Sequence, residues 1–243
     1  MIATHGGVGF RCERLLSLAC ADALRDGKDD VVSVVSILED NPLFNCGYGS
    51  NPTMSGTVEC EAGFMSSDGL RRLSRIDRSA SNAGTKKDVV EACTSSGGLM
   101  LKSPGRLGHC AMFGGGTWAE RRGSTSIGVT VSGCGEAIMR ANFSRSLADR
   151  LLERDPDELS SSIVHSFFEH EFLHSNLTSP ITANRLYAGG LVLIQEGGEL
   201  SELIVFHNTP VLPFAYCTGK VVRRSLSKLP AGSNILVESY PCR

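Results

Sequence analysis

Leu38-Glu-Asp-Asn-Pro-Leu-Phe-Asn45-Cys-Gly-Tyr-Gly-Ser-Asn51 reads as a helix end followed by a glycine-rich loop. Upstream, Val31, Val32, Val35 and Leu38 repeat at helical spacing behind Asp29 or Asp30, which predicts a capped helix over 29–39. Pro42 ends it, because the proline ring disfavours helical backbone in the preceding residue. Farther upstream, Leu15, Leu16, Leu18, Ala19 and Ala23 predict a helix over 11–27, with Gly27 as its stop. Downstream, residues 44–65 are glycine-rich and then extended. Residues 66–88 are polar, rich in Arg, Ser and Lys, and without periodicity, so they read as an irregular linker.

The remainder alternates in blocks. Strands are expected at 89–93 and 126–131. Amphipathic helices are expected over 136–154 and from Asp157 or Ser160 to His174. A hairpin is expected from Leu191–Ile194 and Leu203–Phe206 around Glu196-Gly-Gly-Glu199, with a last strand at 235–238. No internal repeat is present. The reading is one α+β domain over residues 1–243.

Composition narrows the function. Lys and Arg number 24 against 26 Asp and Glu, a net charge of −2, so bulk electrostatic binding to nucleic acid is not expected. No apolar run reaches the ~18 residues of a membrane span. Met1-Ile-Ala-Thr-His5 lacks the basic start and apolar stretch of a secretion signal, so an intracellular protein, cytoplasmic or nuclear, is expected. Nine cysteines at scattered spacings, with no C-x-x-C pair, argue for a reducing compartment and against a disulfide framework or zinc ribbon.

Three short motifs compete for attention. His170-Glu171-Phe-Leu-His174 fits the H-E-x-x-H zinc pattern, but no third histidine follows at a suitable spacing. A zinc metallohydrolase on this motif is the lesser reading. Val131-Ser-Gly-Cys-Gly135 lacks the G-x-S-x-G frame, and Gly114-Gly-Gly116 has no following Gly-Lys-Ser/Thr.

The strongest signal is an ordered series. His5-Gly-Gly-Val-Gly9, Phe44-Asn45-Cys-Gly-Tyr-Gly-Ser50, Gly56-Thr-Val-Glu-Cys-Glu61-Ala-Gly-Phe-Met65, Ser95-Ser96-Gly-Gly98, Pro104-Gly-Arg106-Leu-Gly108, Trp118-Ala-Glu120 and Ser132-Gly-Cys-Gly-Glu136 follow one another. In this order they resemble the type 2 asparaginase family of N-terminal-nucleophile threonine hydrolases, with threonine aspartase (taspase) as the nearest branch. The resemblance implies a four-layer αββα sandwich. It implies a precursor that cuts itself before a threonine, whose new α-amine serves as base for its own hydroxyl.

Residue by residue, Asn45 and Ser96 match the positions that contact the nucleophile. Arg106 matches a guanidinium that binds an aspartyl or asparaginyl carboxylate. Ser132 and Gly133 match the hydroxyl and backbone N–H of an oxyanion hole. His109 stands where small-substrate members carry an aspartate for the substrate ammonium, which points to cleavage after aspartate within proteins. The resemblance implies a protein substrate, a homo-oligomer, and no metal or cofactor.

The match breaks at the nucleophile. The family places its threonine about eighteen residues before the Ser96 position, which here is Arg78, a side chain without a hydroxyl. Thr85 follows a glycine and is a weak substitute. After Met65 about twenty polar residues stand in place of roughly a hundred in the family. The expectation is an incomplete family member, impaired in hydrolysis, with a pseudoenzyme that pairs with an intact paralogue as the non-enzymatic alternative.

Overall fold

The computed structural model describes residues 1–8, 13–27, 30–69, 71–74, 89–181, 186–197 and 200–242. The N-terminal strand β1 (Ile2–His5) is followed by helices α1 (Glu13–Asp26) and α2 (Val31–Glu39). Asp30 caps α2, its carboxylate accepting from the Ser33 N–H at 2.7 Å. The buried positions of α2 are Val34 and Leu38, a narrower stripe than the sequence suggested. A 3₁₀ turn at Gly47–Gly49 leads into β2 (Glu61–Ser66), β3 (Arg71–Ser74) and β4 (Glu91–Ser96).

Residues 71–74 are a correction to the linker reading. They form a strand that pairs antiparallel with β2, from Ala62 opposite Ser74 to Met65 opposite Arg71. Residues 75–88, with the Thr85 candidate among them, lie outside the described residues.

Strands β5 (Thr117–Arg122) and β6 (Thr125–Gly133) form a hairpin, of which only β6 was expected. The helix expected over 136–154 is two helices, α3 (Gly135–Ala141) and α4 (Phe143–Leu152). Asn142 breaks it with φ 45°, ψ 47°. The first turn of α4 takes its partners from the glycine run instead. Ser144 N–H donates to Gly115 O at 3.1 Å and Arg145 N–H to Gly114 O at 3.0 Å. The Asn142 amide, oriented to suit its neighbours, donates to Phe113 O and Gly114 O. Next come α5 (Ser160–Phe167), a π-helical stretch at Phe168–Leu173, and five strands: β7 (Ala188–Glu196), β8 (Leu200–His207), β9 (Val211–Thr218), β10 (Val221–Lys228) and β11 (Leu236–Cys242).

The strands form three sheets, ordered β1-β9-β10, β3-β2-β4 and β11-β8-β7-β6-β5. Helix α1 packs on β9 and β10, and α2 on β4. Helix α4 lies over β5 and β6, and α5 against β11 and β8. The two smaller sheets face the large one, through β1 on β7 and β4 on β6. The mixture of helices and antiparallel sheets is an α+β fold.

Burial follows this stacking. Strand β7 is buried on both faces: Val192 and Ile194 join the core under the helices, while Leu191 joins Leu203, Val205, Leu212 and Phe214 between the sheets. Two buried faces explain why 191–194 is uniformly apolar instead of alternating. Phe143 anchors the helical side. Its fully buried ring stands edge-on to Phe167 and Phe172, both at 5.1 Å, and stacks on Phe206 at 5.7 Å.

No described helix is long and apolar enough to cross a membrane.

Truncating Phe143 to Ala removes the hub of this aromatic cluster. The expected cost is about 3–5 kcal/mol, against about 1 kcal/mol for Phe143→Leu, which keeps most of the volume. Urea unfolding of both variants measures the difference; equal losses would show that the ring is not the organising contact.

Candidate active site

The end of β4 is where the glycine-rich segments meet. Gly97 N–H donates to Asn45 O at 2.7 Å. The Asn45 amide donates to Gly98 O at 2.9 Å and its Oδ1 accepts from the Asn51 N–H at 2.9 Å. Asn51 donates to the same Gly98 carbonyl at 2.8 Å. A Cβ at Gly97 would lie 2.6 Å from Asn45 Oδ1 and from Ser50 Cβ, so only glycine lets the loop close on the strand end. Lys102, buried, reaches into this knot. Its Nζ donates to Gly97 O at 2.6 Å and Asn51 O at 2.7 Å. Ser96 Oγ accepts from Gly98 N–H at 3.0 Å.

Beside this knot lies a cavity of about 210 Å³. Asn45, Ser96, His109 and Ser132 all line it, with His5, Cys93 and Cys110. Four of the sequence candidates therefore share one space. Gly133 follows Ser132 with φ 151°, and a side chain there would run into the backbone of Tyr187 and Ala188. Arg106 lines the adjoining cleft with Ser96, Gly97 and Gly98. Its Nη2 pairs with Glu136 Oε1 at 2.5 Å. A Cβ at either Gly98 or Gly108 would sit 3.1 Å from its Nη1, so glycines make room for the guanidinium.

The cavity is flanked by two strand edges. Among the described residues β1 pairs only with β9, and β4 only with β2. Residues Ile2–His5 of β1 and Glu91–Ser96 of β4 both line this cavity. A second hollow continues between the two strands past Met1–Ala3 and Val89–Ala92.

Burial controls the charges. It lowers the His109 pKa to about 4, with the Arg106 guanidinium adding to the effect. It lowers His5 to about 4 as well, helped by His109. Both imidazoles are neutral near pH 7. Burial opposes ionisation of Glu136, but its hydrogen bond to Arg106 prevails and holds the carboxyl below its ordinary value. Burial pushes the Cys110 thiol up to about 12 and raises Cys93 and Cys46 too. Thiols held in the protonated form are poor nucleophiles, which removes the cavity cysteines as attacking groups.

Sequence reasoning missed His5, Cys110 and Glu61. Glu61 was quoted only as part of a motif, yet it is 6% exposed, and burial raises its pKa. The signal available was its place at the head of the strand Glu61–Ser66, which is buried at every position. The His170-Glu171-His174 pattern does not assemble. Both imidazoles are exposed, Glu171 pairs with Arg150 at 3.2 Å, and the three do not bring their ligand atoms together. Among the described residues the one His/Cys/carboxylate group that converges is Glu61, His109 and Cys110.

A family model described as asparaginase matches residues 83–165. The chain is 24% identical to a plant-type L-asparaginase of Pyrobaculum calidifontis, over 64% of this chain and 81% of that protein. It is 46% identical over 62 residues to a probable isoaspartyl peptidase/L-asparaginase 2 of Arabidopsis thaliana, covering 26% of this chain and 18% of that protein. A probable isoaspartyl peptidase/L-asparaginase of Drosophila pseudoobscura is 32% identical over 108 residues, covering 44% and 28%. These matches support the type 2 asparaginase family. The chain spans less than a third of the length of the Arabidopsis and Drosophila relatives. Of the asparaginase-like motifs, Ser95–Gly98, Pro104–Gly108 and Ser132–Glu136 fall inside the matched region, whereas the Asn45 loop precedes it.

The depressed His109 pKa has a consequence for stability. An unfolded imidazole binds a proton near pH 6.5, the folded one only near pH 4. The unfolded chain therefore holds more protons between these values, and stability falls as pH drops through that window by up to ~1.4 kcal/mol per pH unit. His109→Gln is expected to lose this contribution. Urea unfolding from pH 8 to pH 4 should show the two chains changing in parallel above about pH 7. Below it, the wild type should lose stability faster. Parallel curves throughout would mean that His109 titrates normally.

Proposed function

We propose that the chain is a type 2 asparaginase-like amidohydrolase scaffold of the aspartase branch, which recognises an aspartyl carboxylate through Arg106 and is impaired in hydrolysis because the segment bearing the nucleophile is missing. The observation that carries this reading is the cavity beside β1 and β4, each an edge strand among the described residues, lined by Asn45, Ser96, His109 and Ser132. One further strand between those edges would join the two small sheets into one and would lie under the candidate side chains. The helices outside and sheets inside would then make the four-layer sandwich of N-terminal-nucleophile hydrolases. The Pyrobaculum alignment supports an internal deletion. It runs over 246 positions but uses only 64% of this chain, so about ninety positions are gaps on this side.

In a complete enzyme of this class a threonine hydroxyl adds to the substrate carbonyl, the amine leaves, and water releases the acyl group. The Ser132 hydroxyl and Gly133 N–H would receive the oxyanion of each tetrahedral intermediate. Arg106 would orient the substrate by a forked contact to its carboxylate. Glu136 occupies that guanidinium and competes with substrate for it. A neutral His109 offers no counter-charge to a free substrate ammonium, which favours an aspartate inside a chain over a dipeptide with a free amine.

The pseudoenzyme reading has its own support. Met54, Met100 and Leu101 are exposed by 60% or more, on loops tied together by Leu101 N–H to Pro52 O at 2.9 Å and Met54 N–H to Lys102 O at 2.9 Å. Leu101 is held at φ 57°, a costly backbone for a branched residue. An exposed apolar patch of this kind suits a protein partner, either a second copy or an intact paralogue.

Intact mass after long incubation tests the reading. The expected result is one 25.9 kDa species that does not cleave peptides containing aspartate but binds them. Binding should weaken about 10-fold or more in Arg106→Lys, where the fork is lost, and tighten in Glu136→Gln. Two fragments, the second beginning at Thr85, together with turnover of an aspartyl peptide, would overturn the impairment.

A further inference from the structure

We propose that Glu61, His109 and Cys110 form a binding site for one zinc-class divalent ion. Their ligand atoms lie within 4.8 Å of one another, and all three residues are buried. The His109 Nε2 and the Cys110 Sγ are 3.6 Å apart. Zinc bonds of about 2.3 Å to sulfur and about 2.05 Å to nitrogen, at a tetrahedral angle, place those atoms about 3.6 Å apart. The pair is therefore already at ligand spacing. The Val131 backbone faces the His109 ring, where it can orient the imidazole for a metal.

Glu61 supplies the independent observation. One carboxylate oxygen accepts from the Gly108 N–H, and the Cys110 backbone amide faces the same group. The other oxygen, Oε1, is buried and has no hydrogen-bond partner. The nearest cations are committed elsewhere, Arg106 to Glu136 and Lys102 to two carbonyls. A buried carboxylate oxygen without a partner is costly. A divalent ion would supply that partner. A thiolate and a carboxylate together carry the charge that cancels it, so the filled site is neutral.

The donor set selects the ion. Sulfur, imidazole nitrogen and one carboxylate favour zinc over magnesium or calcium, which require oxygen ligands. Three protein ligands leave a fourth tetrahedral position for water. Binding releases the Cys110 thiol proton to solvent. The site is distinct from His170 and His174, whose imidazoles are exposed on another element.

Cobalt and zinc spectroscopy on the unaltered chain test this. One equivalent of Co²⁺ added to metal-free protein is expected to produce a thiolate-to-cobalt charge-transfer band, which one equivalent of Zn²⁺ abolishes. X-ray absorption of the zinc-loaded protein is expected to show one sulfur at about 2.3 Å, with nitrogen and oxygen at about 2.0–2.2 Å completing the shell. Cys110→Ser should remove the charge-transfer band, and Glu61→Gln should weaken zinc by ~10-fold or more. The double variant His170→Ala/His174→Ala should bind as the wild type does. A shell with no sulfur or several, no band at one equivalent, or loss of binding in the double variant would overturn the proposal. If Cys110→Ser does not fold, the absorption spectrum of the unaltered protein decides. None of these readouts needs turnover, so their failure and the failure of the amidohydrolase reading are separate results.

Discussion

The arrangement rests on one hydrogen-bonded knot at the end of β4. Two asparagine amides and a buried ammonium converge on the carbonyls of Gly97 and Gly98, while Gly97 N–H returns a bond to the Asn45 carbonyl. Burying Lys102 exacts a desolvation cost, and burial lowers its pKa accordingly. Two short charge-assisted bonds offset that cost and fix where the chain goes next. The loop holding Asn45, the strand end holding Ser96 and the segment leading to Arg106 are thereby set against one another. Glycine is required at 97 because a Cβ there would lie 2.6 Å from Asn45 Oδ1 and Ser50 Cβ.

Around that knot the fold is locally saturated and globally open. The five-stranded sheet has helices on one face and the smaller sheets on the other, and its interior strands are buried on both sides. The smaller sheets end in edges that face a cavity. Among the described residues these edges have no partner strand, and an edge strand presents free backbone N–H and C=O groups. The edges leave Asn45, Ser96, His109 and Ser132 around one open space.

A metal ion and a substrate would meet in one neighbourhood, with the His109 imidazole common to both. Arg106 lines a cleft with Glu61 and pairs with Glu136; a Cβ at Gly108 would clash with Glu61 Oε1 and crowd Arg106, and His109 and Cys110 follow that glycine in the chain. A side chain at position 108 would disturb both.

Periodicity alone determined α1, α2, β6 and the β7–β8 hairpin, because their apolar spacing is set by the faces they bury. The ordered glycine, asparagine and arginine motifs pointed to an asparaginase likeness and to residues that share one cavity, with Arg106 in the adjoining cleft. Tertiary structure decided the rest. Asn142 ends a helix that periodicity would continue, because the carbonyls of Phe113, Gly114 and Gly115 lie across the chain to receive it. Strand β10, with Arg223 and Arg224 exposed, is a strand through its pairing with β9 and not through its own pattern. The convergence of Glu61 with His109 and Cys110 joins positions nearly fifty residues apart. No local pattern carries such a contact, since it exists only once β2 is packed beneath the turn at His109–Ala111.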